Sequence, residues 1–157
     1  MTQNPAAVVD EETFSVRRTI RIEAPVERVW SAVTEPEHIS RWFGQTVLAG
    51  QGAGATGTMT FPDYGAIPLR VEEYDEPHRI TYCWGNDDAQ DARPDVLDPA
   101  TSTVFTFTLE AVDGGTQLTV VESGFERTSD PRANLASHGE GWTLELDKLV
   151  ALLEGDA

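Results

Sequence analysis

Between residues 46 and 124 apolar residues recur at every second position, and from residue 130 onward they recur every three or four. That change of period confines the chain to a run of strands followed by one long helix. Candidate strands cover 46–49, 57–61, 67–74, 78–84, 102–112 and 116–124, with "DGG" at 113–115 as a hairpin turn. In the last segment Leu135, Trp142, Leu146, Leu149 and Leu153 form a stripe spaced by seven, four, three and four. Asp130 and Pro131 read as its N-cap and first helical residue. Gly139 and Gly141 interrupt its early part, at about 1 kcal/mol each. Either the helix begins later, or its backbone approaches something closely there.

Ahead of the strands, "FSVRRTIRI" at 14–22 places Phe14, Val16, Ile20 and Ile22 on one face, giving a seventh strand. Pro25 opens a helix whose Val26, Val29, Trp30 and Val33 share a face. In "TEPEHISRWFG", residues 34–44, Thr34 and Glu37 are spaced as a capping box and Pro36 suits a first turn. Ile39, Trp42 and Phe43 form one apolar face, and Gly44 is expected to end the helix in the left-handed conformation. His38 stands beside that face with no partner for catalysis, so its expected role is structural. Residues 1–12 are polar and aperiodic, a loose flexible tail before a single domain at 13–155. The expected class is α+β, with a curled antiparallel sheet wrapped around the C-terminal helix.

The charge balance narrows the partners. With 11 basic and 27 acidic residues the net charge is −16, which disfavours nucleic acid and anionic membranes. Lys148 is the one lysine. Cys83 stands alone, so neither an internal disulfide nor a cysteine metal site is expected. No apolar run approaches the ~20 residues of a membrane span, and "MTQNPAAVVDEET" lacks the features of a signal peptide. A cytoplasmic location is the expectation.

"TIRIEAPVERVWSAVTEPEHISRWF", "FTLEAVDGGTQLTVVESGF" and "GEGWTLELDKLVALLE" resemble the START-like superfamily, and within it the proteins related to the activator of the heat-shock-protein-90 ATPase. The resemblance covers about residues 14 to 154. It implies a helix-grip fold, in which a seven-stranded curved antiparallel sheet wraps the C-terminal helix and encloses a cavity. Related branches bind lipids, plant hormones or polyketides, and some cyclise polyketides. The family carries no universal catalytic residue, so none is assigned. The segment 86–100, "NDDAQDARPDVLDPA", looks longer than the family's usual connection there.

"GAGATG" at 52–57 matches a dinucleotide fingerprint in letters only, because "TMTF" follows it as strand where the fingerprint needs a helix. Its glycines read as a turn at the cavity mouth. Asp87, Asp88, Asp91, Asp95 and Asp98 lack the pattern of a calcium loop and read as a mobile, solvated acidic loop. His38, His78 and His138 have no metal-ligand spacing, and no metal or cofactor is expected.

The candidate ligand-binding residues are Arg18, Trp84, Phe105, Phe107, Glu122, His138, Trp142 and Leu146. The aromatics share inward faces on their strands, which in a helix-grip fold become walls of an apolar pocket. His138 lies on the inward stripe, where it serves either as a satisfied core histidine or as a partner for a ligand's polar end. Arg18 and Glu122 sit on faces that are otherwise apolar. If the first and last strands pair at their centres, Arg18 opposes Val120 and Glu122 opposes Val16. The two charges would then be diagonal neighbours and form a pair, structural or anchoring an acidic ligand.

Three functions fit. The preferred one is binding of a small hydrophobic molecule, lipid-like or aromatic. The others are a cyclase or dehydratase using the same cavity, and an interaction module acting on a chaperone ATPase. The enzyme reading needs convergent acid–base groups, which the sequence shows only scattered. The chaperone reading rests on family naming, and a shared fold does not confer a partner.

Overall fold

The computed structural model describes residues 4–62, 65–90 and 94–155. Strands β1 (Val8–Asp10) and β2 (Ser15–Ile22) come first, then helices α1 (Val26–Thr34) and α2 (Pro36–Ile39). Strands β3 (Gln45–Ala49), β4 (Thr56–Phe61), β5 (Gly65–Asp75), β6 (Arg79–Trp84), β7 (Thr103–Val112) and β8 (Gly115–Ser123) follow, and α3 (Pro131–Gly155) closes the chain. The strands form one antiparallel sheet in the order β1-β2-β8-β7-β6-β5-β4-β3. This is the helix-grip arrangement, with the sheet curved around α3. No helix among the described residues is long and apolar enough to cross a membrane.

Alternation sets the buried face. Val16, Ile20 and Ile22 on β2, Leu118 and Val120 on β8, and Phe105, Phe107 and Leu109 on β7 are all buried in one core with Leu135, Trp142, Leu146, Leu149 and Leu153 of α3. Full burial of a leucine contributes roughly 1.5–3 kcal/mol, so this stripe is what holds α3 inside the sheet. The centres of β2 and β8 pair as expected, Val16 with Glu122 and Arg18 with Val120. Asp130 caps α3, its Oδ1 accepting from Ala133 N at 3.2 Å.

Helix α1 is fastened at its C-terminal end, where a helix leaves carbonyls without partners. Trp42 Nε1 donates to Ala32 O at 2.8 Å, and the Tyr82 hydroxyl donates to Val33 O at 2.6 Å. The expected capping box is not made. Thr34 is the last residue of α1, and its hydroxyl turns back to Trp30 O at 2.8 Å, leaving Glu35 as an N-cap without a side-chain bond. Gly44 does not take the left-handed conformation either. A Cβ there would lie 2.5 Å from Met59 Cγ and 3.0 Å from Phe61, so the glycine serves a close approach.

The sheet has eight strands, one more than expected, because part of the N-terminal segment is ordered. Val8, Val9 and Asp10 pair with Arg17, Val16 and Ser15. All three expose their side chains, so no apolar alternation announces the strand. Backbone and polar bonds fix the segment instead. Asn4 brackets the backbone of Arg21, and Ala7 N donates to Thr143 Oγ1 on α3 at 2.9 Å. Helix α3 runs through both of its early glycines without a break. A Cβ on Gly139 would meet Val9 Cγ2 at 2.9 Å, so the close approach there is that of β1.

Candidate functional site

The first half of α3, the segment after β6 and the turn after β4 leave a cavity of about 310 Å3 between them. Its apolar walls are Phe43, Phe61, Pro62, Trp84 and Trp142. Its polar groups are Asn86, Asp88, Ser137, His138 and Glu145, with Leu144 beside them and Gly141 as bare backbone. A Cβ built on Gly141 meets nothing within 4 Å. The aromatic rings brace one another: Phe43 lies 5.7 Å from Trp84 and 5.4 Å from Trp142, centroid to centroid.

Under this wall lies Glu122, fully buried, with four donors on its two oxygens. Trp84 Nε1 and Thr103 Oγ1 donate to Oε2 at 2.8 and 2.6 Å. Trp142 Nε1 and His138 Nδ1 lie 2.8 Å from Oε1. Burial pushes the Glu122 carboxyl toward its neutral form, but the charge of His138 and these hydrogen bonds hold its pKa below the ordinary value. Burial likewise opposes charge on His138, and the carboxylates of Glu122 and Asp88 overcome it, raising its pKa to about 10. The two are therefore an ion pair at neutral pH. With both oxygens doubly bonded, Glu122 is a counter-ion and not a base.

The far side of the imidazole faces Asp88. His138 Nε2 forms an ion pair with Asp88 Oδ2 at 3.2 Å. Asp88 is held where it is: Ser137 Oγ donates to its Oδ2 at 2.6 Å and its own N donates to Asn134 Oδ1 at 2.7 Å. Asp87 beside it is buried and accepts from Ser129 N, Ser129 Oγ and Asn134 Nδ2 at 2.8–3.0 Å. Burial raises the Asp87 pKa, and these bonds more than offset it, leaving the carboxyl below its ordinary value.

This corrects the expectation of a solvated loop at its start: Asp87 and Asp88 pin the segment to α3. Asp91 lies outside the described residues, while Asp95 and Asp98 are exposed. The glycine-rich turn at 52–57 leads into β4 and borders a different hollow, beside Trp30 and Tyr74, not the mouth of this cavity. Among the described residues no group of three or more His, Cys, Asp or Glu side chains could hold a metal ion.

Of the eight candidate residues, Trp84, His138 and Trp142 line the cavity and Glu122 lies beneath them. Phe105 packs behind, 4.6 Å from Trp84 and 5.2 Å from Trp142, Phe107 lies 5.8 Å from Trp142, and Leu146 is fully buried in the core. Arg18 does point inward, but the expected pair with Glu122 is not formed. Its fork closes on Asp147 of α3 at 2.6 Å, on the carbonyls of Trp142 and Thr143, and on Pro5 O. Register set the diagonal correctly; the helix lying over the sheet supplied nearer acceptors. The lining residues missed as site residues are Phe43, Phe61, Pro62, Asn86, Asp88, Ser137, Gly141, Leu144 and Glu145. Gly141, an unfavourable residue inside a helix, was the visible signal among them.

No curated protein matches the chain. Among solved structures, protein MLL2253 from Mesorhizobium loti is 25% identical, with a TM-score of 0.73 over 91% of this chain and 98% of that one. DynU16, a protein in the dynemicin biosynthetic locus, is 26% identical, with a TM-score of 0.71 over 89% of this chain and 47% of that one. The Aha1 dimer from Colwellia psychrerythraea, 22% identical with a TM-score of 0.68 over 89% of this chain and 96% of that one, shares the fold. The family model of activator of Hsp90 ATPase homolog 1-like proteins matches residues 23–154. The chain belongs to that family.

Proposed function

We propose that this protein binds a small, largely apolar molecule, aromatic or lipid-like, in the cleft between α3 and the segment after β6. The observation that carries this reading is the aromatic-walled cavity of about 310 Å3 with a few convergent polar groups, the usual make-up of a small-ligand site. Binding is preferred to a cyclase or dehydratase reaction because the most buried carboxylate, Glu122, already accepts four hydrogen bonds and has no capacity left for a substrate proton.

Nile red, an uncharged apolar dye, should bind with a micromolar Kd, on the order of −8 kcal/mol. Gly141→Leu should weaken that binding at least about tenfold, since a side chain there enters open space in the cleft. The same change should leave folding unharmed, or stabilise it by up to about 1 kcal/mol, because glycine is a poor helix former. A dye that binds both proteins alike, or neither, would count against the cleft.

Arg18→Met should separate a structural role from a binding one. It removes charge-assisted bonds to Asp147 and three carbonyls, so a loss of about 2–3 kcal/mol in stability is expected. Dye affinity measured on the folded variant should be unchanged, and a drop in that affinity would return Arg18 to the binding site.

A further inference from the structure

We propose that the part of the ligand that enters the cleft is a bare aromatic ring system, taken in preference to a saturated body of the same size, and that the ligand's hydrogen-bonding groups stay outside. This rests on the cleft being the binding site and adds the chemical class of what enters it. Valine, leucine and isoleucine fill much of the core, so aliphatic walls are what this fold builds by default. Along the cleft the described apolar side chains are four rings, Phe43, Phe61, Trp84 and Trp142, with Pro62 and Leu144. Leu144 is exposed, which leaves the rings as the wall.

The rings are locked to one another at angles that suit a further ring. The centroid of Phe43 lies 5.6 Å from Phe61, 5.7 Å from Trp84 and 5.4 Å from Trp142, with the planes inclined by 69°, 54° and 51°. Such a wall presents both negative ring faces and positive ring edges, and a flat ligand ring continues the edge-to-face and offset pattern. A saturated body of equal size has no quadrupole to match it and is too thick to lie as close.

The polar groups along the cleft are spent on holding that wall. Trp84 Nε1 donates to Glu122 and Thr103, and Trp142 Nε1 donates to Glu122. The N–H edge of each indole is therefore taken, and carbon is what the indoles offer a ligand. His138 bonds Glu122 through Nδ1 and pairs with Asp88 through Nε2. Ser137 Oγ donates to Asp88, Glu145 pairs with Lys148, and Asn86 has a partner as well. A hydroxyl entering the cleft gives up its water and meets, among the described residues, groups that are already engaged.

The test uses dimethylnaphthalene, dimethyldecalin and naphthalenediol, each substituted at both ends so that one substituent enters whichever end leads. Each is used to displace Nile red from the wild-type protein. Dimethylnaphthalene should bind about fivefold tighter than dimethyldecalin, the order of a ring-on-ring preference, although the decalin leaves water more readily. It should bind about tenfold tighter than the diol, which buries a hydroxyl without a partner. Phe61→Leu keeps the cleft apolar and removes one ring. It should bring naphthalene and decalin within about twofold of each other, through loss of naphthalene affinity. If that variant does not fold, the wild-type series still decides. Decalin binding as tightly as naphthalene, a diol that binds as tightly as the dimethyl compound, or a folded Phe61→Leu with the full preference overturns this inference and leaves the cleft as a binding site. Failure of all three molecules to displace the dye overturns both.

Discussion

Replacing Glu122 by leucine should lower the unfolding free energy by about 3–5 kcal/mol, the range for breaking a buried ion pair from one side. The side chain is fully buried and similar in size to leucine, so the loss comes from polar groups and not from a void. It strands two indole N–H groups, the Thr103 hydroxyl and the His138 ring at once. Each buried group left without its partner costs about 1–3 kcal/mol, but one ring can shed its proton, so these costs do not simply add. Urea denaturation should show a lower midpoint at an unchanged slope. Adding His138→Leu to the variant should recover part of the loss, because the unpaired cation is gone. A single variant that loses less than about 1 kcal/mol would mean that the four bonds are not a working unit.

The strands were legible because their chemistry is local. Alternation in "STVFTFTLEAV" and "TQLTVVESG", joined by a glycine turn, specifies both a hairpin and its buried face. The register found, Val112 with Gly115 through to Val104 with Ser123, follows from that turn. The same alternation put Arg18 and Glu122 inside, and the structure keeps both there. What alternation does not encode is the layer above the sheet. Arg18 meets Asp147, 129 positions along the chain, and Glu122 draws donors from β6, β7 and two turns of α3. No period relates such positions, so a two-strand picture paired the charges with each other.

The segment after β6 shows the converse. Its acidic composition is that of a solvated loop, yet Asp87 and Asp88 are captured by Ser129, Asn134 and Ser137, residues that look ordinary at a helix start. Strand β1 escaped for a third reason. Its contribution is backbone pairing with exposed side chains, which leaves no hydrophobic trace. Gly141 was visible as a helix-breaking oddity, but its meaning depended on empty space beside it.

Stability should fall as pH rises from 6.5 to about 9, and His138 should be the cause. Its native pKa is raised from 6.5 to about 10. Below 6.5 the ring is charged in both folded and unfolded chains, and the ion pair contributes in full. Above 6.5 the unfolded chain sheds this proton while the native state keeps it. Unfolding is then favoured by up to about 1.4 kcal/mol per pH unit until the native value is passed. Glu122 works at the other end of the scale: its pKa is lowered, so its contribution is present above the ordinary carboxyl range and is lost as pH falls through the native value. Cys83 and Tyr82, both pushed up by burial, also destabilise the native state at high pH, but only above their ordinary values of 9 and 10. The interval from 6.5 to 9 therefore isolates the histidine. Urea midpoints across it should decline in the wild type and decline much less in His138→Gln, which keeps a hydrogen-bond donor and carries no proton to lose. A wild-type stability that is flat or rises with pH over that interval would show that the ring is neutral in the folded protein.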